Sequence, residues 1–265
     1  MQVISGSVWR RLERRRPWLA AAGFALAASV LLPPGGDAAR HYMFAQAVQF
    51  GVLAVAAPAL VVLGAPWRLA AARTLARRGN VAGQIANARS HQTRNGRAWL
   101  PLVAFIAVAL AWRLPVAVDA LVRYPALAVA EAITLVAAGG ALWLELVESP
   151  PLLPRISRPL RAAFSALAMW AIWASAYIMG FSRGAWFSAL AHPAGHGLST
   201  IADQEIAVAL LWAIPGLCFA PVVYASLIGW LRDSSDPDDE LRGIADGHAG
   251  AGLPRPPRGW GLPPR

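Results

Sequence analysis

The chain has 265 residues, of which 57% are hydrophobic and only 14% are charged, and its formal net charge is +10. A soluble domain is usually about 45–50% apolar, so this composition predicts a multi-pass protein of the lipid bilayer. The basic residues are all arginine, and most of them flank apolar blocks, which argues against nucleic acid as a partner. The single cysteine, Cys218, allows no disulfide within the chain.

Apolar runs predict an all-α transmembrane helix bundle with about six spans. In chain order the predicted spans are residues 18–32, 42–64, 98–112, 125–147, 162–181 and 206–231. The first follows a basic segment, residues 1–17, and we interpret it as a short retained span, with a cleaved signal peptide as the alternative. Residues 232–265 are polar, rich in proline and glycine, and predicted to be disordered. The bundle would therefore occupy residues 18–231.

Arginine is concentrated in alternate loops, and this asymmetry predicts the orientation. The N-terminus, the 65–97 loop, the 148–161 loop and the C-terminal tail hold most of it, whereas the other loops hold little. The positive-inside rule then places both termini in the cytoplasm of a plasma (inner) membrane protein. Most of the polar residues that could bind a metal or a ligand would consequently lie at the outer face.

The last span begins beside a carboxylate. The pair Ser199-Thr200 offers helix N-caps, and Asp203 lies near the positive end of the helix dipole. Because a carboxylate that faces lipid is costly, we expect Asp203 and Gln204 to point into the bundle near the outer ends of the second and fourth spans. Arg113 and Arg123, in the short loop predicted between spans three and four, are the expected ionic partners of Asp203.

Other polar residues lie within or between the spans. Gln46 and Gln49 are one turn apart, which favours either a polar cavity or a hydrogen bond between helices. Glu131, in the fourth span, is a functional candidate because ionisable groups are costly inside a membrane. Glu145 is expected to reach water at the inner edge. Asp119 lies in the short outer loop with the two arginines.

Histidine and methionine at the outer face suggest a metal site. His192 and His196 are four residues apart, although Pro193 between them favours a loop in which both are incidental. His41 and Met43 stand at the outer end of the second span, where they suit a soft Cu(I) ion or belong to the interfacial belt. Copper at these residues is therefore a hypothesis of the sequence.

Four motifs, in order, resemble the polytopic CtaG-type assembly factors of caa-type cytochrome c oxidases. They extend over residues 41–231. The matching segments are APALVVLGAP at 57–66, Trp112-Arg113-Leu114-Pro115 with Asp119-Ala120 and Tyr124-Pro125, Ala137-Ala138-Gly139 with Trp143, and Asp203-Gln204-Glu205-Ile206-Ala207 with Trp212 and Pro215-Gly216.

The resemblance implies an integral membrane factor that assists assembly of a haem–copper oxidase. Such a factor would hold copper or the immature oxidase subunit at the outer face. The family's histidine positions correspond here to Gln46, Phe50, Arg113 and Glu131, so the resemblance implies weaker copper binding than in a histidine-complete relative. The sequence contains no recognisable pairing of a nucleophile with a base, and we expect no enzymatic turnover.

Two other functions remain open to the sequence. A permease for small solutes or ions would use Gln46, Gln49, Glu131 and Asp203 as a polar path, but spans three and five have almost no polar residues at mid-depth. A membrane haem protein of the cytochrome b kind would need paired histidines in facing spans, and no predicted span has an interior histidine.

Overall fold

The computed structural model describes residues 5–67, 97–149, 152–191 and 198–233, with side chains from residue 17 onward. Within these ranges the chain is helical and contains no β-strand, as predicted. The helices are α1 Ser5–Leu31, α2 Gly35–Ala39, α3 Met43–Gly64, α4 Leu100–Trp112, α5 Pro115–Arg123, α6 Leu127–Leu146, α7 Arg158–Gly180 and α8 Thr200–Asp233. The predicted disordered tail beyond residue 233 and most of the predicted 65–97 loop lie outside the described residues.

Four of the described helices are long and apolar enough to cross a bilayer: α3, α6, α7 and α8. A fifth span is possible if α4 and α5, which meet at a bend of 64°, are counted as one. The apolar part of α1, Pro17–Leu31, and helix α4 are both shorter than a full span. The all-α membrane bundle is thus confirmed, and the number of six spans stays a prediction.

Residues 115–123 are helical, which corrects the prediction of a loop between spans three and four. Pro115 stands at the first turn of α5, where its fixed φ angle suits a helix start and its missing N–H is not needed. Val118 and Leu121, three residues apart, are both buried against the bundle. The segment has only nine residues, so this packing, rather than intrinsic propensity, stabilises the helix.

Helix α3 is the central helix of the bundle. Within the most apolar stretch of each helix, 72% of α3 is buried inside the protein, compared with 22% of α8. One π-helical turn, Val52–Ala56, widens its middle where α6 packs against it. Helix α1 packs on the second half of α3 through small residues, and a Cβ atom at Gly64 would lie 2.3 Å from the backbone nitrogen of Ala20. Close approach of backbones at small residues is how membrane helices gain packing energy.

The end of the bundle where α6 ends and α7 begins carries Arg155, Arg158 and Arg161, and we call it the arginine-rich end. A buried ion pair lies there. Glu145 is 1% exposed, and its carboxylate accepts hydrogen bonds from the Arg155 side chain, at 2.9 Å, and from the Arg155 backbone nitrogen, at 3.1 Å. The expectation that Glu145 reaches water is therefore wrong. A buried carboxylate requires a charged or hydrogen-bonding partner, and Arg155, in the segment between α6 and α7, is that partner.

Substitution of Gly139 tests the contact between α6 and the π-helical turn. A Cβ atom there would lie 2.3 Å from the carbonyl oxygen of Ala54, whereas a Cβ at the neighbouring Gly140 would meet nothing within 4 Å. We expect Gly139→Ala to lower the free energy of unfolding by about 1–3 kcal/mol through overpacking. Gly140→Ala should be neutral or stabilising by up to about 1 kcal/mol. Denaturation of the two variants in detergent checks this, and equal stability would contradict the close contact.

Candidate functional site

The candidate site lies at the end of the bundle where α3 and α8 begin and α4 and α7 end. We call it the Asp203 end, and it is the end that the arginine pattern predicts to be outside. Most of the polar residues singled out in the sequence meet here. Their side chains come from helices far apart in the chain, so their bonds hold the bundle together at this end.

Asp203 caps helix α3 from another helix. Its carboxylate is fully buried and accepts hydrogen bonds from the backbone nitrogens of Met43 and Phe44, both at 2.8 Å. The residue before α3, Tyr42, stands at the N-cap position but provides no side-chain cap. A carboxylate here satisfies donors that the helix leaves free and lies at the positive end of its dipole. The expected burial of Asp203 is confirmed, but its oxygens bond to backbone and not to Arg113 or Arg123.

Arg113 is the buried cation of the site, with 5% of its side chain exposed. Its guanidinium donates to Oε1 of Gln46 and, at 3.3 Å, to the sulfur of Met179. The rings of Phe50 and Phe187 lie 5.4 and 4.9 Å from its central carbon. This arrangement combines hydrogen bonds with cation–π contacts on two aromatic faces, so it retains a permanent charge inside the bundle.

Glu131 is the buried carboxyl group of the site and is 1% exposed. No hydrogen bond or ion pair joins it to Arg113 among the described residues. Nε2 of Gln46, Nε of Arg113 and Oε1 of Glu131 are buried and have no hydrogen-bond partner among the described residues. Gln46 and Glu131 also line a cavity of about 40 Å³, which has room for about two water molecules. Water bound in this cavity would satisfy the unpaired atoms of Gln46 and Glu131, which line it.

A second pair of side chains fixes the segment between α7 and α8 over the Asp203 end. Gln204 accepts a hydrogen bond from the backbone nitrogen of Trp186 and donates to the carbonyl of Met179, both at 2.9 Å. Asp119 on α5 accepts from the hydroxyl of Ser188, at 2.6 Å, and from the backbone nitrogen of Ala189, at 2.9 Å. The segment is therefore anchored at two points, and Phe187 within it covers Arg113.

The remaining candidates from the sequence make no hydrogen bond to this cluster, although Gln49 lines the same small cavity as Gln46 and Glu131. Gln49 donates to the carbonyl of Val30 at 3.1 Å and thus connects α3 to α1. Arg123 is exposed at the far end of α5. The predicted N-cap role of Ser199 is confirmed, because its hydroxyl oxygen accepts a hydrogen bond from the backbone N–H of Ala202 at 3.2 Å.

The structure describes only two of the four residues expected to bind copper. His41 is exposed and its Nδ1 lies 2.7 Å from the carbonyl oxygen of Asp37, whereas Met43 is completely buried. His192 and His196 lie outside the described residues. The described residues hold no group of three or more histidine, cysteine, aspartate or glutamate side chains that could bind a metal. A copper site that joins His41 and Met43 to the two other histidines stays a prediction.

Sequence reasoning missed Phe187. It lies in the segment after α7 and is completely buried over the guanidinium of Arg113. Nothing local distinguishes it from the neighbouring Trp186, since both are aromatic residues in a short polar stretch. Phe187 belongs to the site only because the segment after α7 folds back across the end of the bundle.

Comparison with known proteins places this geometry in a family. The family model described as cytochrome c oxidase caa3 assembly factor matches residues 4–233. The chain belongs to this assembly-factor family. No curated protein and no solved structure matches it.

The assembly-factor motifs quoted from the sequence meet in the structure. Gly139 packs against the π-helical turn of α3, and Asp203 caps the start of the same helix. The positions that the resemblance assigned to family histidines, Gln46, Phe50, Arg113 and Glu131, also lie near one another. Arg113 bonds to Gln46 and lies over the ring of Phe50, and Glu131 lines the same cavity as Gln46. In this member of the assembly-factor family a guanidinium therefore occupies the centre of that cluster.

Proposed function

We propose that this assembly factor holds an immature oxidase subunit at the outer face of the plasma membrane and that it does so as a scaffold without a resident copper ion. The family description, an assembly factor, supports a non-catalytic role. The family does not support the permease alternative. Three of the four residues of the permease path line a cavity of only about 40 Å³, and the fourth, Asp203, is bonded to backbone.

The observation that supports the scaffold role is the exposed surface of α5 at the Asp203 end. This helix turns by 64° from α4, and in this proposal it lies along the membrane surface. Val116 on the helix is 74% exposed, and the residues that flank it, Leu114 and Tyr124, are 53% and 63% exposed. An apolar surface of this kind beside an arginine, Arg123, suits a protein partner.

Photo-crosslinking in membranes tests this surface. We expect a benzophenone amino acid at Val116 to crosslink to an oxidase subunit during biogenesis. The matched control is the same probe at Leu153, which is 61% exposed but lies at the arginine-rich end. Crosslinks to the oxidase from Leu153 and none from Val116 would place the partner at the wrong end for this proposal. Failure to recover any oxidase subunit by crosslinking or affinity purification would contradict the function itself.

Copper titration tests the absence of a resident ion. Cu(I) prefers thiolate, thioether and imidazole ligands, and the cluster around Arg113 offers a permanent cation instead. We therefore expect weak binding to the purified protein, with any bound copper confined to His41, Met43 and the His192–His196 segment. His41→Ala and His196→Ala should remove what binding there is. Tight stoichiometric binding that survives both substitutions would show that a copper site lies elsewhere.

A further inference from the structure

We propose that the groove between α3, α6, α7 and α8 at the arginine-rich end is a binding site for one anionic phospholipid of the cytoplasmic leaflet. The groove has a volume of about 940 Å³ and is lined mostly by apolar side chains. It opens on the side of the bundle, where Leu217 is 76% exposed and Leu63 is 38% exposed. This site is separate from the Asp203 end and does not depend on the partner proposed there.

The depth of the groove fits a lipid better than a transmembrane helix. On α8 its lining extends from Leu217, in the middle of Thr200–Asp233, to Gly229 near the end. Twelve residues of helix are about 18 Å long. One leaflet of the hydrocarbon core is about 15 Å thick, and a spanning helix would need a groove of about 30 Å. The groove therefore matches the acyl chains of a single leaflet.

The charges at the mouth of the groove fit an anionic head group. Arg158 and Arg161 lie there with Glu148. Arg158 donates to the carbonyl of Gly229 at 3.0 Å, so its side chain lies directly on α8 at the groove. The Arg161 side chain is 16% exposed, its Nε donates to the carbonyl of Ile156 at 3.2 Å, and its Nη1 is 3.4 Å from Glu148. Because the Glu148 side chain is 62% exposed and the distance is long for a hydrogen bond, this pair is weak. A lipid phosphate can therefore compete with Glu148 for Nη1 of Arg161.

The orientation predicted from arginine places this mouth at the cytoplasmic surface. Anionic lipids are enriched in that leaflet, and basic pockets between membrane helices on that side bind their head groups. The apolar interior of the groove matches the acyl chains of an anionic phospholipid, and the basic mouth matches its head group. A zwitterionic lipid would fill the apolar part equally well but would gain less from the arginines.

Native mass spectrometry of the full chain in mild detergent tests the proposal. Phosphatidylglycerol and phosphatidylcholine with the same acyl chains are added in separate arms. We expect one phosphatidylglycerol to be retained per chain and phosphatidylcholine to be lost. Arg161→Gln should lower the affinity for phosphatidylglycerol about fivefold, as expected for one arginine near a membrane surface. Arg232→Gln, an exposed arginine on the same side outside the lining, should not change it.

Two further measurements report on the groove itself. Ala225 is exposed and lines the groove, so Ala225→Trp should fill it and abolish lipid retention without changing the charge. Cys218, the single cysteine of the chain, also lines it, and bound phosphatidylglycerol should slow its reaction with a maleimide. Equal retention of both lipids, or unchanged retention in Ala225→Trp, would overturn the proposal. So would protection of Cys218 by an oxidase subunit but not by phosphatidylglycerol, which would indicate a protein partner in the groove.

Discussion

Asp203→Ala is expected to lower the free energy of unfolding by about 2–6 kcal/mol. The substitution removes the acceptor of two buried backbone N–H groups, those of Met43 and Phe44. A buried donor left without a partner costs about 1–3 kcal/mol, and lipid or apolar side chains offer no replacement. The start of α3, which is the central helix, should therefore loosen. The loss should appear as reduced resistance to chemical denaturation in detergent and as reduced abundance in membranes.

Asp203→Asn and Glu205→Gln distinguish the effect of losing the hydrogen-bond acceptors that cap α3 from the effect of losing a negative charge in this region. The amide of Asn keeps one acceptor oxygen but turns an NH₂ group toward the second backbone donor, so we expect an intermediate loss. Glu205 is exposed on the same turn of α8, and Glu205→Gln should leave stability within about 0.5 kcal/mol of the parent protein. An Asp203→Ala variant as stable as Glu205→Gln would show that the two hydrogen bonds do not support α3.

Arg113→Ala is expected to destabilise the protein by about 3–5 kcal/mol. It would leave Oε1 of Gln46 without its donor. It would also empty the space between the rings of Phe50 and Phe187. A buried acceptor left without its donor costs about 1–3 kcal/mol, and cation–π contacts away from water are worth about 2 kcal/mol more. Arg113→Lys should recover only part of the stability, since an ammonium group cannot reach both Gln46 and Met179 with a planar fork.

A double-mutant cycle identifies the cause of that loss. If uncompensated charge dominates, Glu131→Gln should be less harmful in the Arg113→Met background than in the parent protein. The control is Arg123→Ala, an exposed arginine at the end of the neighbouring helix, which should change stability by less than about 0.5 kcal/mol. Strict additivity of the Arg113 and Glu131 substitutions would contradict an electrostatic link between them.

The surroundings of Arg113 connect three helices at the Asp203 end. A guanidinium held between two rings and two acceptors joins α3, α4 and α7. This supports the scaffold role proposed above and directs attention to the exposed side of α5 as the surface for a partner.

The sequence alone determined the class of protein and the positions of its main helices. Long apolar runs leave only helices as stable structures in a bilayer, because backbone groups must be bonded within the segment. The predicted span 18–32 ends one residue beyond the observed end of α1 at Leu31, and Ser199 correctly predicted the start of α8. These signals are local, since turns, caps and hydropathy depend on neighbouring residues. The order of four weak motifs was also sufficient to indicate the family.

The tertiary structure decided the partners of the polar residues. Asp203 bonds to a backbone 160 and 159 residues away along the chain, and Glu145 pairs with Arg155 instead of reaching water. Charge complementarity suggested an arginine for Asp203, but an unbonded helix terminus is also a good partner for a carboxylate, and the start of α3 takes that place. The helix at residues 115–123 likewise forms because of what it packs against. Such choices depend on distances between segments that are remote in sequence, and only the packed bundle brings these segments together.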